Sequence, residues 1–167
     1  MIPTIKSVGN SLERGAPCHL MITDLVMSGL STERNDDDTG SAPEKVVTLK
    51  DIPNAPMEGA ERIEGYTGPV SRSRQTIIQP GDSANYNCSA VNFSQGCTTG
   101  WHTHNCDQVL IVTSGSGMVA NEHEQREINV GDVVHIKAGE RHWHGAKADS
   151  TMGHITITAV GSQATHG

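Results

Sequence analysis

Aromatic residues and long apolar runs are both scarce in this chain. Two tryptophans, two tyrosines and one phenylalanine occur among 167 residues, which excludes a large aromatic core. The best candidate for a membrane segment, residues 20–30, is too short to cross a bilayer and contains Asp24. Hydrophobic residues make up 35% of the chain and glycines number 18, a composition typical of a turn-rich β protein.

Positive charge is also in short supply. The 12 Lys and Arg residues are outnumbered by 19 Asp and Glu residues, which gives a formal net charge of −7. Nucleic acids and anionic membrane surfaces both attract clustered basic residues. We therefore expect neither nucleic acid nor membrane as a partner, and a small molecule as the substrate or ligand.

The cysteine content and the lack of a recognisable export signal both indicate a reducing compartment. The four cysteines are too few for a disulfide scaffold in a chain of this length, so we interpret them as free thiols. No secretory signal is recognisable, because Asp24 interrupts the apolar run that follows the basic residues Lys6 and Arg14. The expected location is the cytoplasm.

The pattern of residue types changes along the chain and predicts four segments. Residues 1–43 carry one possible short helix at 20–27 and an acidic run at 36–38, and we expect them to be flexible. Residues 44–65 are predicted to form an extended arm with a short strand at 46–49, followed by a barrel at 66–161 and a tail at 162–167. A strand in the arm could extend the sheet of a second subunit, which makes a homodimer the expected assembly.

Short β-branched runs separated by turn residues fill the chain from residue 66 onwards. They are RQTIIQ, ANYNCSAVNF, DQVLIVTSG, GMVANEHEQREINV, GDVVHIK and GHITITAV. The glycines at 115–117 and at 131 favour turns between successive strands. This spacing is typical of an all-β domain that closes into a barrel or packs as a sandwich.

Histidines cluster beside these strand patterns. Alternate residues of a strand share one face, so His102 and His104 can point into one cavity, and so can His142 and His144. Imidazole nitrogens suit manganese, iron, nickel, copper or zinc better than calcium. One such pair could simply lie on an exposed strand, but two pairs on two strands favour a metal site.

The spacing of these residues resembles the two sequence motifs of the cupin superfamily. Residues 96–115 follow the first motif, G-x5-H-x-H-x3-E-x6-G, with Gln108 in place of the glutamate. Residues 131–146 follow the second motif, G-x5-P-x-G-x2-H-x3-N, with Lys137 and Ala146 at the proline and asparagine positions. The resemblance implies a single cupin barrel, a jelly-roll-like double-stranded β-helix, whose metal is held by His102, His104, Gln108 and His142.

The glutamine at position 108 changes the charge of the implied site. Its amide can still offer a carbonyl oxygen to a metal, but it brings no negative charge. With only neutral ligands, a divalent ion keeps its full positive charge. We therefore expect the site to hold its metal less tightly than a glutamate-containing site, and to favour anionic ligands.

Within the cupins, the segments WHTH, LIVTSG, GDVV, GERHWHGA and MGHITI are most similar to the hydroxynitrile lyases of cupin type. That resemblance implies a metal-dependent lyase that splits a cyanohydrin into an aldehyde and HCN, with manganese or iron as the expected metal. It also implies that His144 and His154 lie beyond the metal ligands and act as acid or base. An ordinary histidine pKa near 6.5 suits either residue to this role.

Two other functions remain compatible with the sequence. Three imidazoles on iron, copper or nickel also suit a dioxygenase that acts on a small organic substrate. A barrel that binds a small ligand without catalysis is the third alternative, since a fold does not fix a function. The remaining histidines, His123 and His135 among them, are interpreted as surface residues, and Cys106 as a turn residue beside the site.

Overall fold

Strands dominate the part of the chain that the computed structural model describes, residues 44–167. One 3-10 turn, η1 (Leu49–Asp51), precedes twelve strands, and these residues contain no α-helix. The strands are β1 (Ala55–Met57), β2 (Glu61–Arg62), β3 (Arg72–Ile78), β4 (Tyr86–Phe93), β5 (Cys97–Thr98), β6 (His102–His104), β7 (Gln108–Asn121), β8 (Gln125–Asn129), β9 (Val133–Ile136), β10 (His142–Ala146), β11 (Met152–Ala159) and β12 (Ala164–His166). The predicted all-β class is confirmed.

The strands form two antiparallel sheets that share β7. In the first sheet the order is β1-β3-β4-β11-β7-β9, and in the second it is β2-β5-β10-β7-β8, with β6 pairing β10 and β12. The first half of β7 pairs with β9 and β11, whereas its second half pairs with β8 and β10. The result is the curled, barrel-like sheet that the motif resemblance implied.

A glycine lies where β7 passes from one sheet to the other. Gly115 has φ 64°, and a Cβ at this position would collide with the carbonyl oxygen of Thr151. Only glycine combines a positive φ with such a close approach of two backbones. The glycines at 115–117 were predicted to form a turn between two strands, but they lie within one continuous strand.

The hydrophobic core lies between the two sheets. Alternate residues at the start of β7 are buried, because the side chains of Gln108, Leu110 and Val112 share the inward face. Phe93, the only phenylalanine of the chain, is 2% exposed and belongs to the same cluster. The other buried members of this cluster are Val91, Cys97, Val112, Ile128, Ala146 and Met152.

Two predicted segments differ from the structure. No strand forms at residues 46–49; the edge of β3 is paired with Ala55–Met57 instead, and the side chain of Gln75 donates hydrogen bonds to the carbonyl oxygens of Leu49 and Ile52. The tail predicted at 162–167 contains β12, which pairs with β6. The flexible segment and short helix predicted within residues 1–43 lie outside the described residues, and the homodimer stays a prediction.

No helix among residues 44–167 has the length and apolar character needed to span a bilayer.

Candidate metal centre

Three strands bring the predicted metal ligands to one place. His102 and His104 lie on β6, which pairs with β10 so that His102 is opposite His142. Gln108 is the first residue of β7, and the second half of β7 pairs with β10. The structure therefore places all four residues at the same end of the barrel, and three of them, His102, Gln108 and His142, are buried.

The histidine rings are close, and their hydrogen bonds determine which nitrogen faces the site. The ring centroids of His102 and His142 are 4.2 Å apart, and those of His102 and His104 are 5.1 Å apart. The Nδ1 of His102 lies 2.9 Å from the carbonyl oxygen of Gly100, and the Nδ1 of His142 lies 2.9 Å from that of Glu140. Because a carbonyl only accepts, each Nδ1 carries the proton and each Nε2 keeps a free lone pair.

Gln108 turns its oxygen towards one of these lone pairs. Its Oε1 lies 3.2 Å from the Nε2 of His142, and its amide nitrogen donates to the Oγ1 of Thr156 at 3.2 Å. Two acceptors at this distance repel each other unless a cation lies between them or the amide turns over. The Nε2 of His104 is also buried and has no hydrogen-bond partner. These lone pairs fit a divalent metal ion.

One group of three histidines contains His144 where the motif set has His104. The ligand atoms of His102, His142 and His144 all lie within 4.8 Å of one another. His104 is not a member of this group, although its ring centroid lies 5.8 Å from that of His142, no farther than the 5.9 Å between the rings of His142 and His144. This cluster of three histidines could hold a metal ion, and imidazole donors favour a transition metal.

Burial keeps the histidines of the site neutral. Desolvation is the largest cause of a lowered pKa in His102, His104, His142, His144 and His154. It lowers the pKa of His102 and of His154 to about 4. The pKa near 6.5 that was expected for His144 and His154 is therefore wrong, because neither ring has solvent around it to stabilise the charged form.

His144, a member of this group of three histidines, lies beside His154. Their ring centroids are 4.9 Å apart, and Phe93 packs against both rings. The Nδ1 of His144 and both ring nitrogens of His154 are buried without a hydrogen-bond partner. Such orphaned polar atoms are costly, so a polar molecule in the adjacent cavity is needed to satisfy them.

A cavity of about 130 Å³ connects these groups. It is bordered by His102, His104, Gln108, His144 and His154 but not by His142. Several of its other lining residues were missed in the sequence: Met57, Arg72, Arg74, Phe93 and His166. The alternation of Arg72 and Arg74 on one strand face was a usable signal, whereas nothing local marked Met57 or His166.

A larger cleft of about 440 Å³ lies between β8 and β9, and it does not contain His144 or His154. We place the candidate site in the smaller cavity, since the unpartnered nitrogens are there. His123 and His135 are exposed, as expected, and His135 contacts Asp107 at 2.9 Å. Cys106 is half-buried and is not one of the clustered ligand residues.

Comparison with known proteins places this architecture in a family. The family model described as "Cupin domain" matches residues 89–159. A protein named (R)-mandelonitrile lyase, from Granulicella tundricola, is 43% identical over 100 residues, which are 59% of this chain and 75% of that protein. The chain belongs to the cupin family.

Solved structures agree with this assignment. A cupin-like protein from Thermotoga maritima has a TM-score of 0.53 and 29% sequence identity, covering 62% of this chain and 84% of that chain. The polyketide cyclase RemF from Streptomyces resistomycificus has a TM-score of 0.60 at 17% identity, covering 70% of this chain and 80% of that chain. The second likeness is one of fold alone.

Proposed function

We propose that this protein is a metal-dependent lyase that splits α-hydroxynitriles into an aldehyde and HCN, and catalyses the reverse addition. The observation that carries the proposal is the pair of buried, neutral histidines, His144 and His154, whose unpartnered nitrogens border a small cavity that His102, His104 and Gln108 also line. The resemblance to a protein named (R)-mandelonitrile lyase supports the same chemistry.

In this proposal His102, His104, Gln108 and His142 hold a divalent transition metal, with manganese or iron preferred. A bound ion would supply positive charge that stabilises negative charge developing on the substrate. The protein fixes the orientation of two of these imidazoles. The Nδ1 atom of His102 donates to the carbonyl oxygen of Gly100, and the Nδ1 atom of His142 donates to that of Glu140.

His144 and His154 would move the proton. Neutral imidazole accepts the hydroxyl proton of the cyanohydrin on an unpartnered nitrogen, while the bond between the central carbon and the nitrile carbon breaks. The electron pair of that bond leaves with cyanide as the carbonyl forms, and the imidazolium then returns the proton to cyanide as HCN. The lowered pKa of both rings keeps them unprotonated at neutral pH and makes the imidazolium a ready proton donor.

The test is an assay of the manganese- and iron-loaded protein on mandelonitrile, with benzaldehyde formation, oxygen consumption and metal content followed together. We expect His144→Ala and His154→Ala to lower kcat by about 10²- to 10⁴-fold with unchanged metal content. His135→Ala, on an exposed histidine, serves as the matched control. Full activity in both site variants would refute the proposed role of these residues.

A dioxygenase is the second candidate, because the group of His102, His142 and His144 offers three imidazoles within 4.8 Å. Oxygen uptake that accompanies product formation in the same assay would favour it. Benzaldehyde formation without oxygen uptake would favour the lyase.

A further inference from the structure

Two arginines of β3 border the cavity on the side opposite β6. Arg72 and Arg74 are two residues apart on one strand, so their side chains leave the same face of the sheet. Arg74 is opposite Val91 of β4, and Val91 is opposite His154 of β11. Arg74, Val91 and His154 therefore form one row across the inner face of the first sheet.

Among residues 44–167 no carboxylate lies within 4 Å of either guanidinium, although the charge of Glu61 acts on Arg72 from farther away. Arg72 is half-buried, and desolvation is the main cause of its lowered pKa. Its Nε and Nη2 donate to the carbonyl oxygen of Glu58, at 3.3 and 2.7 Å, which fixes the plane of the guanidinium.

The rest of the cavity lining carries no compensating negative charge. It consists of imidazoles, the amide of Gln108, two threonines and apolar side chains. A divalent metal with these neutral ligands would add further positive charge. An anionic group is thus the chemical partner that this cavity lacks.

Distance and volume limit the size of that partner. Arg74 and His154 are separated by two strand spacings, roughly 10 Å between their backbones, and both side chains border the cavity. The cavity of about 130 Å³ is well below the roughly 300 to 1,000 Å³ of sites for drug-sized molecules. A short aliphatic chain can therefore link a group on the arginines to a carbon beside His154.

We propose that this cavity selects small substrates that carry a carboxylate, and that Arg72 and Arg74 bind the carboxylate while the reacting carbon lies beside His144 and His154. The proposal rests on the proposed lyase function for the identity of the reacting group, but the anion site itself is independent of it. Arg72 provides a half-buried, oriented guanidinium, and the exposed Arg74, which also borders the cavity, provides a second one.

Binding of propanoate and of the neutral propanamide to the metal-free protein tests the anion site, measured by calorimetry or ligand-observed NMR. We expect propanoate to bind about tenfold or more tightly than propanamide, and Arg74→Gln to remove about tenfold of the propanoate affinity. Arg126→Gln, an exposed arginine outside the cavity, is the matched control. Equal binding of the two probes, or propanoate binding that Arg74→Gln leaves unchanged, would overturn the proposal.

The substrate preference of the protein tests the carboxylate proposal separately from the proposed lyase function. The metal-loaded protein is assayed on the cyanohydrins of 4-oxobutanoate and of butanal, and we expect a higher kcat/KM for the carboxylate, with the preference lost in Arg74→Gln. Arg72→Lys keeps the charge but loses the planar fork, so it should weaken the preference without abolishing it. If both cyanohydrins are cleaved equally, the carboxylate proposal is wrong and the lyase function stands. If neither cyanohydrin is cleaved but propanoate binding depends on Arg74, the lyase function is wrong and the anion site stands.

Discussion

Acidification should destabilise the metal-free protein through its buried histidines, and His154 allows the size of the effect to be worked out. Its pKa falls from 6.5 to about 4 because burial removes the solvent that stabilises the charged ring. Between these values the unfolded chain binds a proton that the folded chain does not, so stability is complete above pH 6.5 and is lost as the pH falls towards 4. From pH 7 to pH 5 this single residue should cost about 1.8 kcal/mol of unfolding free energy.

Urea unfolding at pH 7 and pH 5, in the presence of a chelator, measures the effect. The comparison is with His154→Leu, because leucine is apolar and does not titrate in either state. The other buried histidines are present in both proteins, so their contributions largely cancel. We expect the stability of the variant to fall by about 1.8 kcal/mol less than that of the parent over this pH interval, with unchanged m-values. An identical pH dependence in the two proteins would refute the reasoning.

Two further predictions concern the ligand set and the core. Gln108→Glu should tighten divalent metal binding on the order of 10- to 100-fold, because a carboxylate replaces a neutral amide. Competition with a chelator measures the affinity, and Gln125→Glu, on the exposed strand β8, is the control. Unchanged or weaker binding would exclude Gln108 from the ligand set. Phe93→Ala should lower the unfolding free energy by about 3 to 5 kcal/mol, against about 0.5 kcal/mol or less for the exposed Tyr86→Ala. Similar losses in urea unfolding of both variants would contradict the position of Phe93 in the core.

The strands of the barrel were predictable because each aliphatic run is local and is bounded by turn residues. β4 and β11 match their predicted runs closely, since alternation within a strand depends only on neighbouring residues. The continuity of β7 was not predictable, because Gly115 is compatible with a turn as well as with a crossing between sheets. The strand at Ala55–Met57 was not predicted either, because its pairing with β3 depends on contacts between segments far apart in the sequence.

The candidate site, like the fold, was predictable from the sequence only in part. The proximity of His102, His104 and His142 was predictable because motif spacing records how two strands of a known barrel meet. Arg72 and Arg74 were not found, although both border the cavity, because their relation to His154 arises from the pairing of β3, β4 and β11. The spacing of Arg72 and Arg74 puts both on one face of β3, but only the pairing of the three strands brings that face to His154. The lowered histidine pKa values also depend on burial, which composition does not reveal.

Because a single strand runs through both sheets, the two halves of the site cannot shift independently. The first residue of β7 is Gln108, and its far end pairs with the strand that carries His142 and His144. Sliding β7 by one position would turn the glutamine amide out of the cavity and would misalign β10 at the same moment. Mutations that loosen β7 far from the cavity should therefore displace Gln108 and the histidines of β10 together, and so should changes in β9, which pairs with β7 at Gln108 itself.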